Sequence, residues 1–291
     1  MRLARQAPSR TLATMLNDRR IAFIGAGNMA SALIHGLSSS GAAARERIVA
    51  TDVRAEALAE LQARHGIATT PYNRSAASSA DLLVLCVKPQ VLPAVLAELR
   101  GHLGGAALVV SIAAGVPTAV IERGLGEGVR VVRAMPNTPA LVLAGATAIA
   151  PGSAATEADL ALARALFASV GVVEEVQEPL LDAVTGLSGS GPAYVFLLVE
   201  ALTAAGVDVG LSASTSAALA AQTVYGAAKL LHESGETPEA LRRKVTSPGG
   251  TTQAGLERLA ERGFADVLRD AVERATARAK ELGAAAAKTA P

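Results

Sequence analysis

Two stretches hold residue types at spacings that could do chemistry. The first is "GAGNMA", Gly25–Ala30, a G-x-G-x-x-A pattern between apolar "RIAFI" and a helical run. Gly25 allows a tight turn and Gly27 leaves room for a pyrophosphate to reach the backbone. Ala30 lets the following helix pack closely, and the helix N-terminus meets the negative charge. The second is "VTSPGGTTQAG", Val245–Gly255, a loop-like insertion among helical patterns. Pro248 lacks a backbone N–H, Gly249 and Gly250 tolerate unusual backbone angles, and a new amphipathic pattern starts at the threonines.

Other polar residues fall where strands should end. Asp52 follows "IVAT", where an acid would hydrogen-bond an adenosine ribose; Arg54, two residues on, could instead pair with a 2′-phosphate. The two signals conflict, and an ordinary solvated turn is the third reading. "CVKPQ" puts Val87, Lys88 and Pro89 after another strand, and "SIAAG" puts Ala113 and Ala114 after a third. Open parallel sheets bind ligands outside the carboxyl ends of their strands, so these ends converge on one crevice. "TGLSGSGPAY", Thr185–Tyr194, fails the G-x-S-x-G nucleophile pattern at both serines and lies between helices. It reads as a tight junction of small residues. The four histidines show no metal-ligand spacing, and Cys86 sits in an apolar strand as a buried thiol rather than a nucleophile.

The elements that must position these residues alternate in the first half: apolar strands "RIAFIG", "RIVATD", "DLLVLCVKP", "AALVVSIAAG", "VRVVRAMPN", "ATAIAPG" and "VVEEV", with helical runs between them. Such alternation predicts an α/β, doubly wound parallel sheet covered on both faces. After Val176 the strand signals stop and every segment reads as a helix, which predicts a boundary near Gln177. The expected divisions are a disordered basic extension at 1–18, a dinucleotide-binding domain at 19–177 and a helical dimerisation and substrate domain at 178–291.

Composition narrows the functional classes. The formal charge is +1, aromatics are 2% and tryptophan is absent, which argues against nucleic-acid surfaces. One cysteine excludes an internal disulfide and points to a reducing, cytoplasmic setting. No apolar run approaches the ~20 residues of a membrane span. Arg2, Arg5, Arg10, Arg19 and Arg20 against Asp18 mark the first twenty residues as basic. They read as a translated upstream stretch with Met15 the natural start, or as a transit-type segment. From Pro192 to Val199 no residue is polar except tyrosine. A helix apolar all round must be buried all round, and a second copy of the chain is the expected cover, with a central core helix as the alternative.

"FIGAGNMA", "CVKPQ", "RAMPNTPA", "TGLSGSGPAY" and "VTSPGGTTQAGL", in that order, resemble pyrroline-5-carboxylate reductases from about Asp18 to Leu282. The resemblance implies a Rossmann-type domain followed by an all-helical C-terminal dimerisation domain, with homodimers assembled into larger rings. It implies reduction of 1-pyrroline-5-carboxylate to L-proline, with NADPH or NADH as cofactor. It places cofactor contacts at Gly25–Ala30, Asn73, Val87, Lys88, Pro89, Ala113 and Ala114. It places the substrate loop at Ser247–Thr252 and an acidic substrate residue at Glu178. Lys244 stands where some relatives carry a cofactor-touching asparagine. N–H groups around Gly250, Thr251 and Thr252 would then hold the substrate carboxylate at a helix N-terminus, and the Thr252 hydroxyl would bond the ring nitrogen. A β-hydroxyacid dehydrogenase shares the plan but needs a lysine where this chain has Val195. An imine reductase without a carboxylate requirement and a non-catalytic nucleotide sensor are the other readings.

Overall fold

The structure, a computed structural model, describes residues 15–105 and 107–289; the side chains of 286–289 are not described. The expectations for residues 1–14 lie outside the described residues. Met15–Asp18 form a turn, and Leu16 is wholly buried in the core, so this part of the expected extension packs on the fold.

Residues 15–190 and 273–289 form one compact unit and 191–272 another. The first is built on an eight-stranded sheet: β1 Ile21–Ile24, β2 Ile48–Thr51, β3 Ala68–Thr70, β4 Leu82–Leu85, β5 Leu108–Ser111, β6 Arg130–Met135, β7 Gly145–Pro151 and β8 Gly171–Glu175. The order is β3-β2-β1-β4-β5-β6-β7-β8. The helices between strands are α1 Asn28–Ser40, α2 Ala55–His65, α3 Asn73–Ser79, α4 Leu92–Leu99, α5 Thr118–Leu125 and α6 Glu157–Ala168.

Successive residues of a strand point to opposite faces, and the buried strands serve two cores. Ile21 and Phe23 of β1, Leu82 and Val84 of β4 and Leu108 and Val110 of β5 meet α1, α2 and α6 on one face. Ala22 and Ile24, Leu83 and Leu85, and Val109 meet α3, α4 and α5 on the other. A strand buried on both faces needs no polar alternation, which is why these segments read as continuous apolar runs.

The sheet is not parallel throughout. β7 runs antiparallel to β6, and β8 is again parallel to β7. The connection between β6 and β7 spans only residues 136–144 and holds a short 3-10 turn, Thr138–Val142. A parallel return needs a crossover of a dozen or more residues. The three-residue edge strand β3 carries too little apolar pattern to stand out in the sequence.

Residues 178–190 stay with the sheet unit. They run through a 3-10 turn, the helical turn Leu181–Val184 and a π-turn Thr185–Gly189. The helical unit then comprises α7 Gly191–Asp208, α8 Ala213–Ser234, α9 Pro238–Lys244 and α10 Thr251–Glu261; α11, Phe264–Thr289, starts within it and ends in the sheet unit. Gly206 of α7 lies directly against Ser216 of α8, with no room for a Cβ. The Ser216 hydroxyl donates to the Thr203 carbonyl at 2.6 Å. Because the π-turn carries the helix through the glycine–serine junction, Glu178–Asp208 forms a 31-residue run, by length and composition long and apolar enough to cross a membrane. In the sequence the same junction reads as a break between two helices.

Candidate functional site

Register brings the strand ends to one edge. Ile24 pairs with Thr51 and with Leu85, and Leu85 with Ser111. The segments that leave β1, β2, β4 and β5 therefore emerge side by side. Gly25 donates its N–H to the Thr51 carbonyl at 2.8 Å. Its φ is +104°, and a Cβ there would stand 2.9 Å from the Cys86 carbonyl oxygen. Gly25 is thus required by the fold itself.

Gly27 is different. It is the N-cap of α1, with φ −82° and ψ −177°, which any residue can adopt. A Cβ on Gly27 would meet nothing within 4 Å. No protein atom explains the missing side chain, and no side chain caps the helix. An open cradle against uncapped N–H groups is what a pyrophosphate needs. Ala30 is fully buried, closing α1 onto the sheet, and Met29 packs against the same core. Asn28 is exposed at the mouth of the turn.

Around the turn, Asp52 accepts the Ala26 N–H at 2.9 Å and pairs with Arg54 at 3.0 Å. Burial tends to raise the Asp52 pKa, but the bonds from Arg54 and Ala26 prevail and hold it below the ordinary carboxylate range. Asn73, at the start of α3, accepts from the Thr51 hydroxyl at 2.6 Å and donates to Glu98 at 2.8 Å. That leaves one amide hydrogen for a ligand. Val87 packs against the second core, Pro89 is half-buried and Lys88 is exposed. Cys86 follows the end of β4 and is half-buried, not enclosed in the strand as expected; desolvation still pushes its thiol far up, which argues against a nucleophile. Ala113 is buried and Ala114 exposed. Behind them Gly115, at φ +75°, lies against the backbone of Gly283 on α11.

Glu178, expected at the substrate, is tied to the start of α5. One carboxylate oxygen accepts the Thr118 N–H at 2.7 Å and the other its hydroxyl at 2.8 Å. Arg133, buried on β6, reaches Glu178 at 3.4 Å and Asp182 at 3.8 Å. The Glu178 carboxylate therefore anchors the first turn of α5 and balances a buried guanidinium. Thr118, Arg133 and Asp182 were missed in the sequence, although an arginine inside the apolar run "VRVVRAM" was a visible signal of a buried ion pair. Beside this cluster, Asn137 donates to the Ser188 carbonyl at 3.0 Å and accepts from the Ala146 N–H at 2.8 Å. A Cβ on Gly189 would meet the Met135 methyl at 2.7 Å. Close packing accounts for Gly189, whereas a Cβ on Gly191 would meet nothing within 4 Å.

In the helical unit, the Val245–Gly250 segment ends in a clean helix start. Gly250 is the N-cap of α10, and no side chain caps it. Thr251 and Thr252 lie inside the first turn and are exposed. The threonines therefore do not cap the helix; their N–H groups point out of its start. Gly249, at φ +68°, makes the reversal, and its N–H donates to the Gln253 side chain at 2.8 Å. Ser247 closes the turn by accepting the Gly250 N–H at 3.0 Å. Lys244 is paired with Glu236 at 2.6 Å.

Residues 178–282 match the model for pyrroline-5-carboxylate reductase dimerisation, and residues 20–115 match the model for NADP oxidoreductase, coenzyme F420-dependent. A pyrroline-5-carboxylate reductase of Methanosarcina acetivorans is 46% identical over 92% of this chain and 99% of its own. The solved pyrroline-5-carboxylate reductase of Coxiella burnetii is 40% identical with a TM-score of 0.88, covering 91% of this chain and 99% of that one. That of Plasmodium falciparum, solved with NADP bound, is 30% identical with a TM-score of 0.81, covering 92% and 99%. Two uncapped helix starts on the fold of these reductases, matched nearly end to end, place the chain in the pyrroline-5-carboxylate reductase family.

Proposed function

We propose that this chain reduces 1-pyrroline-5-carboxylate to L-proline with NAD(P)H, and that it divides the work between the Gly25–Ala30 turn and the Ser247–Thr252 loop. The observation that carries the reading is the start of α10, where no side chain caps the helix and two threonines occupy the first turn. The N–H groups of Thr251 and Thr252 hold the substrate carboxylate, as helix N-termini hold anions. The Thr252 hydroxyl bonds the ring nitrogen. When bound, NAD(P)H supplies the hydride that the imine carbon accepts, and the ring nitrogen takes a proton to become the secondary amine of proline. The residues of this chain orient the imine and stabilise its charge. Uncapped N–H groups and the cradle at Gly27 receive the cofactor pyrophosphate, with Val87, Lys88, Pro89, Ala113 and Ala114 along the same sheet edge. Glu178 supports this arrangement through Thr118 and is not the proton donor, since both its oxygens already accept hydrogen bonds.

The working form is a homodimer in the cytoplasm, with ring assembly of dimers as the larger form. The test is turnover of purified chain with NADPH and 1-pyrroline-5-carboxylate, followed by nicotinamide absorbance, beside unsubstituted 1-pyrroline. Much faster reduction of the carboxylate-bearing imine is expected. Equal rates would remove the carboxylate role from α10 and favour a broader imine reductase.

A further inference from the structure

Residue type at the end of β2 points two ways. An acid there is the usual partner of the ribose hydroxyls of NAD, whereas a nearby arginine suits the 2′-phosphate of NADP. The structure resolves the conflict by joining the two residues. One Asp52 oxygen accepts the Ala26 N–H at 2.9 Å and an Arg54 guanidinium N–H at 3.1 Å. The other accepts the Arg54 backbone N–H at 3.0 Å and its Nε–H at 3.0 Å. Four donors thus occupy the two oxygens that a ribose would need. The carboxylate is also turned inward: the Asp52 side chain is 10% exposed, against 62% for Arg54.

We infer that Asp52 is a positioning residue, which locks Arg54 against the glycine turn and makes the nucleotide site select a 2′-phosphate over a free ribose hydroxyl. The inference rests on the dinucleotide reading of Gly25–Ala30. A guanidinium carries five N–H donors in a rigid fork. Asp52 engages one edge of that fork, and the remaining donors face outward. A fork held at one edge keeps the other in a fixed plane, suited to a bidentate phosphate contact. The bond to Ala26 ties this plane to the turn that would hold the pyrophosphate. Glu56 and Glu60 on α2 also act on Arg54, so an approaching phosphate meets two acids as well, which moderates the selection.

The test is direct binding to the full chain, free of turnover. Dissociation constants for NADPH, NADH, 2′-phospho-ADP-ribose and ADP-ribose are measured by calorimetry. The wild-type chain is expected to bind each phosphorylated ligand more tightly than its counterpart. Arg54→Ala should weaken the phosphorylated pair by about 10- to 100-fold, the range for a hydrogen bond to a charged group, and leave the other pair nearly unchanged. Arg54→Lys should recover part of the loss, as a point charge without the fork. Asp52→Asn separates positioning from direct ribose binding. Positioning predicts that NADPH affinity falls more than NADH affinity, and that the double variant Asp52→Asn/Arg54→Ala shows no lower NADPH-to-NADH preference than Arg54→Ala. A larger loss for NADH would make Asp52 a ribose ligand and overturn the inference. So would a preference indifferent to Arg54, with both nucleotides still bound, and that result would leave the dinucleotide reading intact. A wild-type chain that binds neither nucleotide would sink both.

Discussion

Thr252 and His65 show how one side chain's surroundings set what it can do. Thr252 is exposed in the first turn of α10, beyond the Gly250 N-cap, so its hydroxyl is not needed to start the helix. Thr252→Ala should therefore lower turnover without unfolding the chain, by roughly 10²- to 10⁴-fold, the usual range for positioned proton or hydrogen-bond assistance. Thr252→Ser keeps the hydroxyl and should retain most of the activity. Steady-state kinetics on the pair decides the matter, because equally active variants would leave Thr252 with no role at the ring nitrogen. His65 sits 6% exposed at the end of α2, its Nε2 3.0 Å from the Ser31 hydroxyl. Burial first, then the charges of His35, Arg64 and Arg45, lower its pKa from 6.5. The unfolded chain then binds the proton at a pH where the folded chain does not. Stability from this residue is present above about pH 6.5 and falls as the pH drops from there toward the lowered folded value. Melting temperatures between about pH 5 and 8 should decline on the acid side. His65→Gln should flatten that decline, and an unchanged slope would assign it to other groups.

At the scale of elements, two glycines of one turn answer to different demands. Gly25 has a positive φ and a carbonyl oxygen 2.9 Å from where its Cβ would be. Gly25→Ala should destabilise the sheet unit by about 1–3 kcal/mol through backbone strain and overlap. Gly27 has neither constraint, so Gly27→Val should fold with near wild-type stability and lose nucleotide binding. Thermal unfolding combined with NADPH titration separates the two. A Gly27→Val chain that titrates like wild type would move the pyrophosphate away from the turn. The same contrast explains which glycines were legible. The pattern G-x-G-x-x-A announces a turn, but only the packing around each position shows whether the protein or a ligand excludes the side chain.

At the scale of the whole molecule, α7 is the surface that the proposed homodimer would cover. Phe196 and Leu197 of α7 are 63% and 64% exposed, and they lie in the region matched by the family's dimerisation model. Isolated apolar side chains on a surface are ordinary, but an entire helix of them calls for a cover. Phe196→Glu should shift the chain toward monomer, weakening self-association by about 100-fold, because it leaves an unpaired charge inside an apolar contact. Sedimentation of wild type and variant over a range of concentrations tests this. An unaltered dimer would place the contact on another face.

Periodicity and motif order determined most of this protein by themselves. Apolar runs such as "DLLVL" and "ALVV", short and alternating with helical runs, read as strands buried on both faces, and a doubly wound sheet is the economical packing. The glycine turn, the strand-end residues and the Ser247–Thr252 loop were all legible, because they depend on local backbone needs that residue type expresses directly. What depends on distant partners was not. The direction of β7 follows from a connection too short for a crossover. Glu178 is engaged by Thr118 and Arg133, from parts of the chain 60 and 45 residues away. Asp52 and Arg54 read as competing signals in the sequence, and only the fold shows them joined to each other and to Ala26. A side chain's type fixes which bonds it can make; only the fold decides which groups arrive to make them.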